Sequence, residues 1–186
     1  VAGQNNRISG SSSDNNMNWK NTIGGGEQNV LYQTGCSFIG AGHTNTILGN
    51  NATFDNNNKT YKENSIVGGR CNDIIDERNS HIIGGACNKI IGDSTQNTVL
   101  QGSGNIIGAG HCNIITGSCC SAILGGKDNC LKHDNSFIIG SCITSSADCT
   151  TFVNNLNISS SLTTTKGIFG TGTTTIDDNI SSSGYI

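Results

Sequence analysis

No proline occurs anywhere in this chain. Every backbone N–H can therefore donate, which suits strands paired along both edges. Aromatic residues make up only 5% of the 186 positions, with one Trp and one Met. A thick core of large rings is excluded. Charged residues amount to 12%, about half the usual share, and the 10 basic side chains form no run. Nucleic-acid binding needs clustered Lys and Arg to neutralise phosphates, so no nucleic-acid partner is expected. No stretch approaches the roughly 18–20 apolar residues that cross a bilayer, and no membrane association is expected. The start at Val1 has no charged-then-apolar leader and no Met, which points to a fragment or a processed product. Disordered chains are rich in charge and proline and poor in Ile. This one has regularly placed Ile, so disorder is excluded as well.

What the chain has is repetition. In octads beginning at Asn or Ser, residues 64–142 read NSIVGGRC, NDIIDERN, SHIIGGAC, NKIIGDSTQ, NTVLQGSG, NIIGAGHC, NIITGSCC, SAILGGKD, NCLKHDN and SFIIGSC. An earlier block from Asn21 reads NTIGGGEQ, NVLYQTGC, SFIGAGHT and NTILGNNA, and NRISGSSS from Asn6 is a weaker first copy. Single-residue slips fall near Gln96 and Asn135. Octads with and without a Gly pair alternate between Asn64 and Asp93, so two octads make one coil of 16 residues. The predicted fold is all-β, a parallel β-solenoid or β-roll of eight-residue half-coils.

The physics of one octad follows from its positions. The third is Ile, Val or Leu, usually with a second apolar neighbour, as in Ile74–Ile75, Ile82–Ile83 and Ile90–Ile91. Adjacent residues of a strand point to opposite faces. One Ile can fill the solenoid interior, and the other needs another surface. Each such burial is worth about 1.5–3 kcal/mol, so a partner copy of the chain is expected on the outer face. The Gly pairs, such as Gly68–Gly69 and Gly84–Gly85, fit a tight corner with positive φ or close backbone approach. Asn at the first position suits the next corner by tolerating the left-handed region. Stacked coil on coil, these Asn can also form ladders of side-chain amides.

This Asn/Ser-x-Ile-Ile-Gly-Gly register over residues 21–142 resembles the head repeats of trimeric autotransporter adhesins, which are parallel β-rolls assembled as homotrimers. It also resembles Asn-Gly-Ile repeats in tail fibres of bacteriophages and fibre-like proteins of large viruses. The nine cysteines depart from the adhesin pattern. Residues 143–186 are Thr/Ser-rich, with Leu156, Ile158 and Leu162 in period-two spacing, and are similar to shaft segments of phage fibres. The resemblance implies three parts: an irregular entry (1–20), a solenoid (21–142) with an insertion at about 50–63, and a shaft or linker (143–186) continuing beyond Ile186. It implies a homotrimeric structural fibre on a virion surface or outside the cell, supporting or performing attachment to a host glycan or protein receptor. The alternatives are a bacterial surface adhesin or filament subunit, and a tailspike-type solenoid that binds or degrades polysaccharide.

Candidate chemistry is sparse, and no enzyme is expected. Cys36, Cys71, Cys87, Cys112 and Cys120 all close their octads, so they stack in columns. They fill corners as small hydrophobes, or form disulfides between coils or chains. No CxxC pair with matching His spacing occurs, so no metal and no cofactor is expected. His43 and His111 share one position, each within Gly-Ala-Gly-His, and read as solvent-facing turn residues. His81 and His133 have no obvious partner. Asp76–Glu77 is the only compact acidic pair in the repeats, and a glycosidase needs two carboxylates about 5–10 Å apart in a groove. With Arg78 beside it, the pair reads instead as a solvated corner with local ion pairing. The eleven residues inserted after the octad at Asn45 carry rare aromatics and charge. Phe54, Lys59, Tyr61 and Lys62 are the candidate binding loop, with Trp19 a second candidate or a cap over the first coil.

Overall fold

The computed structural model describes residues 3–9, 20–49, 63–92 and 104–159. Among these residues, fifteen parallel strands of two or three residues build two sheets. The first contains β1 (Arg7–Ser9), β3 (Val30–Tyr32), β5 (Thr46–Leu48), β7 (Asp73–Ile75), β9 (Lys89–Ile91), β11 (Ile114–Thr116) and β13 (Cys130–Leu131). The second contains β2 (Thr22–Ile23), β4 (Phe38–Ile39), β6 (Ser65–Ile66), β8 (His81–Ile82), β10 (Ile106–Ile107), β12 (Ala122–Ile123), β14 (Phe137–Ile139) and β15 (Thr151–Val153). From β1 to β14 successive strands alternate between the sheets, so two octads make one solenoid coil. Thr22 pairs with Phe38 and Asp73 with Lys89, each 16 residues on. Among the described residues there is no helix.

The interior is one side chain deep per sheet and coil. Ile23, Ile39, Ile66, Ile82, Ile107, Ile123 and Ile138 come from the second sheet, and Leu31, Ile47, Ile74, Ile90, Ile115 and Leu131 from the first. All are essentially inaccessible. The second apolar residue of each pair points outward, as pleating requires. The two units of the chain divide after Asn155. In the first, the ladders run past residue 142, through a bridge from Cys130 to Thr144 and the pairing of β14 with β15. In the second, residues 156–159 contain no strand, and Leu156 and Ile158 are exposed.

The corners differ from expectation in an informative way. The left-handed residue is the last of the octad: Gln28, Thr44, Cys71, Cys87, Cys112 and Asp128 have φ between +54° and +58°. The first-position Asn that follows each of them is buried and has a different task. Asn88 donates its backbone N–H to Asn72 Oδ1 (3.1 Å), and its Nδ2 reaches Gly84 O (3.1 Å) and Gly110 O (3.0 Å). Its own Oδ1 accepts the N–H of Asn113 at 3.1 Å. The same pattern links Asn6, Asn29, Asn45, Asn72, Asn88, Asn113 and Asn129. Only the second Gly of each pair is obligatory. A Cβ at Gly85 (φ +86°) would lie 2.2 Å from Gly110 O, whereas one at Gly84 would meet nothing within 4 Å.

The spacing along this Asn ladder runs 23, 16, 27, 16, 25 and 16 residues. Long coils therefore alternate with minimal ones. Every long excursion leaves from the same corner, after β1, β5 and β9 of the first sheet. The opposite ladder follows this alternation. Asn21, Asn64 and Asn105 return from long excursions, and Ser37, Ser80 and Ser121 follow tight corners. Each of these Asn spans to the next coil: Asn64 Nδ2 donates to Glu77 O at 2.7 Å, and Asn64 Oδ1 accepts the N–H of Ser80 at 3.0 Å. The shorter Ser hydroxyls bond the carbonyls of their own corner at Gly35, Arg78 and Cys119, and Ser80 and Ser121 Oγ also accept the N–H groups of Asn105 and Ser136 from the next coil, both at 3.2 Å. The structural repeat is thus two coils, one of them elongated.

The octad NTVLQGSG, apart from Gly104, lies outside the described residues. β8 pairs directly with β10, and β9 with β11. No rung separates the coil of Cys87 from the coil of Cys112.

Two substitutions test these corners. Asn88→Ala removes a partner from the buried N–H of Asn113 and is expected to cost roughly 2–4 kcal/mol, measured by urea denaturation. Gly85→Ala should destabilise strongly, while Gly84→Ala stays within about 0.5 kcal/mol. Equal effects of the two Gly substitutions would contradict the stacking described here.

Candidate functional site

Two surfaces of the coil carry exposed chemistry. The first is the outer face of the second sheet. On its strands it presents Phe38, Ile106 and Phe137 in one column, with Ser65, His81 and Ala122 between them, and at or just past the strand ends Val67, Ile83, Leu124 and Ile139 in the adjacent one, with Gly108 between Ile83 and Leu124. Val67, Ile83 and Leu124 each keep about half of their surface in water (51%, 55% and 52%). The first sheet is more mixed outside, with Lys89 Nζ 3.3 Å from Asp73 Oδ2 across one rung. Pleating puts an apolar residue outside in most octads, exposed on the second sheet at Val67, Ile83 and Leu124 and half-buried on the first at Leu48, Ile75 and Ile91.

The second surface is the corner that joins β8 to β9 and β10 to β11. There the seventh residue of each octad forms a third parallel ladder, through Glu27, His43, Arg70, Ala86, His111 and Lys127. The eighth residue donates its N–H to the seventh residue of the preceding coil: Cys87 to Arg70 O (2.9 Å), Cys112 to Ala86 O and Asp128 to His111 O (both 3.0 Å). The five octad-closing cysteines do not form a single column. Cys71, Cys87 and Cys112 stack on consecutive coils here, while Cys36 and Cys120 lie at the opposite corner. The ligand atoms of Cys87, His111 and Cys112 lie within 4.8 Å of one another, with His111 Nε2 3.7 Å from Cys112 Sγ. All nine thiols are free.

The Cys112 thiol is held above its ordinary pKa by desolvation, then by the proximity of Cys87 and Asp128. At the opposite corner Cys119 is pushed up to about 11, first by desolvation and then by Asp134 and Cys120. Its backbone N–H donates to Asp134 Oδ1 at 2.8 Å.

The remaining candidates fall as follows. Phe54, Lys59, Tyr61 and Lys62, together with Trp19, lie outside the described residues. The flanks of that loop are placed: the chain leaves β5 at Gly49, whose N–H donates to Tyr32 O (2.9 Å), and returns at Glu63 beside the buried Asn64. The Asp76–Glu77–Arg78 corner is not solvated as expected. Glu77 is fully buried, with its Oε2 accepting from the Ser80 hydroxyl at 3.3 Å. The tight corner turns this side chain inward beneath the neighbouring coil, so the pair offers no open two-carboxylate groove. His43 and His111 are exposed in their shared ladder. His81 and His133 each have a partner, with Nδ1 2.7 Å from Ser65 Oγ and Ser145 Oγ respectively. The Cys–His–Cys cluster escaped sequence reasoning because its members are 24 and 25 residues apart, across an excursion that reads as another octad.

No protein-family model, curated protein sequence or solved structure matches the chain.

The raised Cys119 pKa has a direct chemical consequence. Only the thiolate attacks, and a shift from 9.0 to about 11 leaves roughly 100-fold less of it at pH 8. Because a more basic thiolate is also the better nucleophile, alkylation of Cys119 by iodoacetamide, followed by peptide mass spectrometry, should be slower by roughly tenfold than for an unperturbed thiol. Asp134→Asn should recover part of the rate.

Proposed function

We propose that this chain is a structural segment of a homotrimeric fibre or spike, on a virion surface or outside the cell, that supports or performs attachment to a host surface. One observation carries the reading: a parallel ladder whose second sheet leaves apolar side chains exposed on most of its coils. Single exposed apolar residues are ordinary on proteins, but contiguous patches mark association sites. Val67, Ile83, Leu124 and Ile139 recur on a rigid sheet face. A second and third copy of the same chain, presenting the same column about a common axis, would bury them all at once. Such a surface suits a shaft whose length grows by adding coils, since each coil contacts only its neighbours.

The long excursions suit display. They leave from one edge at every second coil, so rungs about 4.8 Å apart place their roots roughly 10 Å apart. A shaft that holds its excursions along one edge can present several contacts to a surface simultaneously. The candidate loop bearing Phe54, Lys59, Tyr61 and Lys62 departs from this edge. A host glycan or protein receptor is the proposed partner.

Native mass or light scattering tests the assembly. The intact chain is expected to have three times the mass of one copy. The double substitution Ile83→Asn/Leu124→Asn, placed on the exposed face, should shift it towards a monomer while the β signal in circular dichroism is retained. A monomeric intact chain would sink the reading. Deleting residues 50–63 should abolish binding to host cells or glycans and leave the mass ratio intact. Undiminished binding would move the attachment function elsewhere on the fibre.

A further inference from the structure

We propose that Cys87, His111 and Cys112 form a binding site for a zinc-like divalent ion, with two thiolates and one imidazole as protein ligands and a fourth position open to solvent.

The geometry is close to what such an ion requires. Zn–S bonds of about 2.3 Å and Zn–N bonds of about 2.0–2.1 Å put tetrahedral S···N and S···S pairs roughly 3.5–3.8 Å apart. His111 Nε2 and Cys112 Sγ are already 3.7 Å apart, and the whole triad spans no more than 4.8 Å. The Cys and His side-chain torsions are the freedom that would close the remainder. That backbone is held from both sides. Cys112 N–H donates to Ala86 O and Asp128 N–H to His111 O, each at 3.0 Å, and Ala86 bridges to His111 in the ladder. A ligand set on stacked rungs is therefore pre-arranged by the same hydrogen bonds that build the solenoid.

The electrostatics point the same way. Two sulfur atoms and one imidazole share one small region of the corner, and a divalent ion is bound by the deprotonated thiols and neutralises their mutual repulsion. Asp128, exposed and next in the column, adds charge of the correct sign. The donor set is soft to borderline, which selects Zn(II) over Mg(II) or Ca(II). Three protein ligands with one open position also match the coordination of reactive rather than purely structural zinc. The column is not uniformly Cys: Gln28, Thr44 and Asp128 occupy the same left-handed position in other coils. The fold therefore does not need a thiol there, and substitutions at Cys87 and Cys112 need not unfold it.

Co(II) titration of the fully reduced chain is the test. One equivalent per chain should produce thiolate-to-cobalt charge-transfer absorption with the visible bands of a tetrahedral site, and Zn(II) should displace it. Binding requires loss of thiol protons, so affinity should rise with pH. Cys87→Asn and Cys112→Asn should each abolish the charge-transfer band, with circular dichroism confirming an intact β signal. His111→Ala, which copies the residue at Ala86, should weaken binding about tenfold or more. Cys36→Ser, at the opposite corner, should change nothing. Absence of the band in the reduced chain, or its survival in both Asn variants, would overturn the site. So would a native chain, purified without reductant, whose Cys87 and Cys112 prove to be joined in a disulfide.

Discussion

A column of buried asparagine amides keeps the coils in register. Each member satisfies the backbone N–H of the next first-position residue and at the same time ties down glycine carbonyls at the corner. Asn88 does this between Asn72 and Asn113. In an interior shielded from water, each of those backbone groups would otherwise be left unpaired at a cost of about 1–3 kcal/mol. The amide is a short side chain with both a donor and an acceptor, long enough to serve two coils. Because the Asn column must be continuous, every other position is stacked too, and each residue type acquires a column of its own.

That rule explains why the molecule has chemistry only at its edges. The interior columns admit Ile or Leu and almost nothing else, and the obligatory Gly of each pair lies against the next carbonyl. Freedom is left at the outward strand positions and at the two residues that precede each ladder. Apolar side chains on the second sheet use the first freedom, and the Cys and His residues of the corner use the second. Lengthening of the chain is confined to the corner opposite the continuous Asn ladder. There an Asn follows each long excursion and a Ser follows each tight turn.

Much of the fold was legible because its period is short. Ile74, Ile82 and Ile90 announce buried strand positions by recurrence alone, and the alternation of Gly-pair octads announces a coil of 16. The assignment of left-handed geometry was off by one residue. Asn72 is a plausible left-handed residue taken singly, but its amide is required in the ladder, so Cys71 takes the positive φ instead. Burial of Glu77 was hidden for a related reason. A run of Asp, Glu and Arg reads as solvated until the neighbouring coil covers it, and the Ser80 hydroxyl that meets it belongs to the next octad.

The sequence by itself determined the repeat, the all-β architecture, the identity of the core column and the recurrence of apolar residues facing outward. These depend on spacing between near neighbours, which a linear chain displays directly. Only the tertiary structure decided which octads stack. Cys87 and Cys112 are three octads apart when counted along the chain, a number that would place them at opposite corners. The direct pairing of β9 with β11 places them on adjacent rungs of one corner. Contact across an excursion is chosen by which ladder satisfies the buried backbone and amide groups, and that choice is not written in the local spacing of residues.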